Sequence, residues 1–134
     1  MIYYISDTTH STDCPKEGIV WLANQDEQAK KAVVFGNQTI FEGIFKSLGF
    51  TDEVIKGIEK GRNLVVSGNM SIPVVFLSED PVEQYDYVLI FYPNTKVLNK
   101  VVEETKAKDT LVIPWTAEDV QYLSTIGTAY EGSF

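Results

Sequence analysis

The stretch YDYVLIFYPNTKVLNKVVEETKAKDTLVIPWTAEDVQYL, residues 85–123, decides the fold class. Its first part, Val88, Leu89, Ile90, Phe91 and Tyr92, is an unbroken apolar run. A strand covered on one face alternates, whereas a strand buried on both faces need not. Pro93 ends the run, and Asn94 or Thr95 suits the cap of a following helix. Val97, Leu98, Val101 and Val102 then recur at helical spacing, with Lys96, Lys100, Glu103 and Glu104 turned to solvent. After Asp109, the residues Leu111, Val112 and Ile113 form a second buried strand. Pro114 and Trp115 end it. Thr116 caps a last helix whose apolar side is Val120, Leu123 and Ile126. Two strands joined by one helix are expected to be parallel, adjacent and central, with a right-handed crossover.

Working outward from this unit, residues 2–6 read as a first strand and residues 7–14 as a polar loop. Gly18 precedes residues 19–23, which read as a second strand, and residues 24–31 read as a polar turn or one short helix. Val33, Val34 and Phe35 form a third strand that stops at Gly36. Residues 37–49 predict a helix with Ile40, Phe41, Ile44, Phe45 and Leu48 on one side and Gly49 at its C-terminal stop. Thr51 caps the next helix, with Val54, Ile55 and Ile58 inward, and Gly61 closes it. Residues 64–67 and 72–77 form a candidate hairpin around Gly68 and Asn69. Pro73, near the start of its second strand, suits an edge position or a first residue. Residues 78–84 are an acidic connection, and residues 127–134 a loose tail. With no repeat, low-complexity tract or linker, residues 1–134 are expected to form a single α/β domain. The expected architecture is a three-layer α/β/α arrangement with helices on both faces. Its sheet is mixed, mostly parallel, and built from about six or seven strands.

Composition narrows the functions. A chain of 134 residues with 44% apolar content suits one packed domain and not a disordered chain. No apolar run approaches the ~18 residues of a membrane span. Residues 1–7, MIYYISD, lack the basic and apolar regions of a signal peptide. The lone cysteine, Cys14, precludes an internal disulfide, so a cytoplasmic location is expected. Net charge is −8, and no adjacent run of basic residues exceeds the pair Lys30 and Lys31, which argues against direct nucleic-acid binding. The acids are scattered, in pairs such as Asp52–Glu53, Glu79–Asp80 and Glu103–Glu104, and do not form the dense rows of a DNA mimic.

Three stretches are candidate sites. The loop of residues 7–14, DTTHSTDC, holds the only histidine, His10, and the only cysteine, Cys14. A strand followed by a Ser/Thr-rich loop resembles the phosphate loop of flavodoxins, over residues 2–12, and that resemblance implies a flavin-type carrier. The chain departs from it where Thr9 and His10 replace a glycine, and where Pro15 and Gly18 lead to another strand instead of a helix. Cysteine catalysis needs a thiolate supported by an imidazole or a helix N-terminus. The four-residue separation of His10 and Cys14 allows contact without requiring it, and Cys14 is expected to be an ordinary reduced thiol. No ligand spacing for a metal accompanies them.

The second candidate is Gly36, Asn37, Gln38 and Thr39, which join a strand to a helix N-terminus. Free backbone N–H groups and the helix dipole favour an anion there, and Gly36 permits close approach. The stretch lacks the lysine of a P-loop and the triple glycine of a dinucleotide fingerprint, so a plain helix cap is the competing reading. The third candidate is Asn94 and Thr95 together with Trp115 and Thr116, each pair following a strand end, where ligands collect in open α/β sheets. Trp115 has the ring to stack on a planar ligand; the alternative is that it covers the core rim.

No GxSxG, HExxH or CxxC pattern occurs. The first functional reading is a small acidic regulatory or protein-interaction module, resting partly on Trp21 and Trp115 as exposed aromatics. The alternative is a binder or enzyme for an anionic, nucleotide-like small molecule at the strand-end rim. A flavodoxin-like carrier is a third. The ligand, the protein partner and the oligomeric state stay open.

Overall fold

The structure is a computed structural model and describes residues 1–6, 13–25, 28–35, 38–61, 63–66, 70–76, 85–91, 93, 107–114 and 116–130. The strands are β1 (Ile2–Tyr4), β2 (Lys31–Phe35), β3 (Asn63–Val66), β4 (Met70–Phe76), β5 (Tyr87–Phe91), β6 (Asp109–Ile113) and β7 (Thr128–Ala129). The helices are α1 (Asp13–Ala23), α2 (Gln38–Ser47), α3 (Asp52–Gly61) and α4 (Ala117–Ile126). One sheet of seven strands runs in the order β3-β4-β2-β5-β6-β1-β7. Among the described strands, only β3 is antiparallel to its neighbour. None of the described helices is long and apolar enough to cross a membrane.

The expectation for β5 and β6 holds. They are adjacent, parallel and interior, in register from Tyr87↔Asp109 to Phe91↔Ile113. Val88, Leu89, Ile90 and Phe91 are fully buried, as an apolar run without alternation requires of a strand covered on both faces. The pleat divides the core in two. Val33, Phe35, Leu89, Phe91, Leu111 and Ile113 belong to one cluster, with Trp21 and Leu22 of α1, Phe41 and Phe45 of α2, and Ile55 of α3. Ala32, Val34, Val88, Ile90 and Val112 belong to the other, with Leu123 of α4. The helix expected around residues 97–102 lies outside the described residues, as do Tyr92 and residues 78–84.

The α2–α3 hairpin forms where its sequence predicts, with one correction: of the residues read as inward on α3, Ile55 is buried, whereas Val54 is 45% exposed. Gly49 sits at φ +92°, and the Phe50 and Gly49 amides donate to the Phe45 and Lys46 carbonyls at 3.1 and 3.0 Å, a Schellman stop. Thr51 caps α3, its hydroxyl accepting from the Val54 amide at 3.3 Å.

Four other expectations are corrected. Residues 19–23 are not a strand but the second half of α1, and Cys14 lies in that helix rather than in a loop. The inward residues Gly18, Trp21 and Leu22 are spaced three and four apart, while Val20 is 50% exposed. The helical period is visible only if Gly18 counts as an inward contact, and a glycine carries no apolar signal. Pro73 is not on an edge strand, since β4 lies between β3 and β2. The β2–β4 register begins at Val33↔Val74, so the proline, which has no N–H, stands just before that ladder. The tail is not loose throughout: β7 pairs with β1 through Tyr3↔Thr128 and Tyr4↔Ala129, and the Tyr130 amide donates to the Tyr4 carbonyl at 2.8 Å. Ile126, assigned to the apolar side of α4, is 37% exposed, while Leu123 is buried.

The strand order also separates this fold from flavodoxins. In the flavodoxin order 2-1-3-4-5 the first strand neighbours the second. Here β1 lies between β6 and β7, and β2 is two strands farther in, beyond β6 and β5. A helix does follow β1, contrary to the expectation of a strand, but the sheet it serves is wound differently.

Candidate functional site

Parallel pairing aligns the carboxyl ends of five strands on one rim. Phe35 of β2 is level with Phe76 of β4 and with Phe91 of β5. Phe91 is level with Ile113 of β6. Beside β6, the Ile5 amide donates to the Val112 carbonyl at 3.1 Å and carries the end of β1 to the same rim. The candidate stretches read separately in the sequence therefore follow neighbouring strands. Gly36 and Asn37 come after β2, Asn94 and Thr95 after β5, and Trp115 and Thr116 after β6. Gly36, Asn37, Asn94, Thr95 and Trp115 themselves lie outside the described residues. Gln38, Thr39 and Thr116 lie within them.

The floor under the rim is aromatic. The Phe35 and Phe91 rings stack with centroids 5.1 Å apart and planes 4° from parallel. Pro93 and Pro114, the prolines that stop β5 and β6, are both buried. The opposite rim is tied by main chain: the Lys108 amide donates to the Asp86 carbonyl at 2.7 Å and the Thr110 amide to the Met1 carbonyl at 2.9 Å. The Lys30 amide donates to Asp86 Oδ2 at 3.0 Å. Gly68 and Asn69, a possible extension of the site, also lie outside the described residues. The strand after them, β4, reaches the site with Phe76, at its far end from Met70.

Two of the described helices, α2 and α4, begin after the rim strands β2 and β6. Thr116 is the N-cap of α4 in a full capping box. Its hydroxyl accepts from the Asp119 amide and Asp119 Oδ2 accepts from the Thr116 amide, both at 3.2 Å. Glu118 and Asp119 occupy the first turn, so the positive end of that helix already faces carboxylates. Thr116 is thus the helix cap that its sequence predicts. Thr116→Ala is expected to lower stability by about 0.5–2 kcal/mol in urea unfolding, as N-cap losses do; an unchanged midpoint would mean that the box is dispensable.

At α2, Gln38 and Thr39 are exposed, and no acid occupies the first turn. Gln38 Nε2 nevertheless donates to Glu59 Oε2 of α3 at 2.9 Å and to Glu42 Oε1 at 3.4 Å. Sequence reasoning missed Glu59, because only the register of the α2–α3 hairpin brings it to this helix end. The structure does not test the pairing of His10 with Cys14, since His10 and the Cys14 side chain lie outside what is described. Among the described residues, no group of three or more His, Cys, Asp or Glu is placed to hold a metal ion. No protein-family model, no curated protein and no solved structure matches this chain at a significant level.

Proposed function

We propose that this domain binds a small anionic ligand, nucleotide-like in shape, over the carboxyl ends of β2 and β5. One observation carries the reading. β2 and β5 are adjacent and parallel, yet the chain leaves them in opposite directions, from β2 toward β4 and β3 and from β5 toward β6. Such a reversal parts the loops above the sheet, and α/β folds bind ligands in the crevice this leaves. Gly36 and Asn37 follow β2 directly in sequence, and Asn94 and Thr95 follow β5 after Tyr92 and Pro93. Glu42 and Glu59 beside Gln38, and a net charge of −8, disfavour a polyphosphate and favour a ligand of low charge. A cytoplasmic metabolite is consistent with the single cysteine. The interaction-module reading loses one support, since Trp21 is only 7% exposed and meets Tyr87 edge-on within the core.

The test is a thermal-shift screen with nucleoside monophosphates and phosphorylated metabolites. A ligand at about 100 Kd adds ~2.7 kcal/mol, which for a domain of this size raises Tm by about 10 °C. Gly36→Val is expected to reduce that shift while leaving the circular dichroism spectrum unchanged. An undiminished shift would move the site toward Asn94, Thr95, Trp115 and Thr116. If no anion shifts the wild-type Tm, the ligand reading falls and the interaction module takes its place.

A further inference from the structure

One side of the molecule ends on features that a single symmetric partner would satisfy together. Among the described residues, β3 is the outermost strand of the sheet and pairs only with β4, so half of its main-chain N–H and C=O groups point outward. Helix α3 packs against β3, and α2 against β2, one strand position farther in than β4. The side of α3 turned away from α2 therefore overhangs the β3 edge. The α2-facing side is marked by Asp52, which pairs with Lys46 at 3.5 Å, and by Glu59, which accepts from Gln38.

The overhanging side carries Val54, Gly57 and Gly61, which are three and four residues apart and so share one face. Val54 is 45% exposed, and Phe50, just before the helix, is 39% exposed. Among the described residues, a Cβ at Gly57 or Gly61 would meet nothing within 4 Å, so packing against them does not require either glycine. Glycine inside a helix is unfavourable relative to alanine, and here it leaves the helix backbone open to close approach. Charge flanks this face in order: Glu53 in the first turn, Lys60 in the last. Among the described residues, neither Glu53 nor Lys60 has an ion-pair partner.

We infer that two copies of this chain associate about a two-fold axis at the β3 edge, pairing β3 with β3 antiparallel and packing α3 against α3 across Gly57. One axis perpendicular to the sheet imposes both contacts, since it reverses strand and helix alike. The reversal sets Glu53 opposite Lys60 of the partner subunit, and Lys60 opposite the partner subunit's Glu53. A helix with acid at one end and base at the other is complementary to itself only when antiparallel, which favours a second copy over an unrelated protein. Val54 flanks the crossing, and the glycines let the backbones approach.

Sedimentation velocity from low to high micromolar concentration tests this. Wild type is expected to shift toward twice the 15.0 kDa chain mass. Gly57→Lys, which improves helix propensity and so preserves the monomer, is expected to raise the dimer Kd about tenfold or more. Gly43→Lys, at the equally open glycine of α2, is expected to leave the Kd unchanged. Glu53→Lys is expected to weaken the dimer, and adding Lys60→Glu to restore it. A wild type that stays monomeric throughout, a dimer insensitive to Gly57→Lys, or equal weakening by Gly57→Lys and Gly43→Lys overturns the inference.

Discussion

Phe35→Ala is expected to cost about 3–5 kcal/mol, the range for deleting a buried ring. Phe35 is fully buried at the end of β2. Its ring stacks on Phe91 of β5 at 5.1 Å and meets Phe41 of α2 edge-on at 5.2 Å. Phe45 and Phe76 are tilted against it at 6.1 and 6.3 Å. These four rings belong to α2, β4 and β5, so they cannot all close on the vacated space without moving those elements apart. The transfer loss therefore stands with a cavity loss added, near the upper part of the range. Against a total stability of about 5–15 kcal/mol, the variant is left marginal. Urea unfolding followed by circular dichroism reads the change in midpoint. Phe35→Leu, which keeps most of the volume, is expected to cost clearly less and guards against complete unfolding. A loss below ~1 kcal/mol for Phe35→Ala would mean that the aromatic cluster does not hold β2 to its neighbours.

Leu89→Ala is expected to cost about 2–5 kcal/mol, and its coupling to Gly18 is more telling than the loss itself. A Cβ on Gly18 would stand 2.8 and 3.2 Å from the two Leu89 methyls and 2.9 Å from Ile113 Cδ1. Helix α1 thus touches the middle of β5 and the carboxyl end of β6 with its backbone. Gly18→Ala gains about 1 kcal/mol of helix propensity, but it forces a methyl into a filled core at a cost of about 1–3 kcal/mol. In the Leu89→Ala background the same methyl enters the space that was vacated. The double variant is expected to be more stable than the sum of the single changes predicts, by about 0.5–3 kcal/mol. Strict additivity in urea unfolding would show that α1 does not pack at this point.

The local pattern of the chain determined the central strands, the helical hairpin and the caps. Val88 to Phe91 and Leu111 to Ile113 carry no alternation, and burial on both faces is the state in which such runs lose nothing. Phe41, Ile44 and Phe45 mark the inward side of α2, and Gly49 and Thr116 end and begin helices through bonds to residues three to five positions away. These features rest on contacts within a few residues, which is why they are legible. Helix α1 was not, because its period runs through Gly18, whose role is to have no side chain beneath Leu89 and Ile113. Nor was β7, since a strand of two residues exists only through its pairing with β1. The rim followed the same rule. The sequence placed Gly36–Thr39, Asn94–Thr95 and Trp115–Thr116 after strands, but only the order β2-β5-β6 makes those strands neighbours. Glu59 beside Gln38 is decided by how two helices lie against each other. Strand order and helix register depend on contacts between residues far apart in the chain, and no local spacing encodes them.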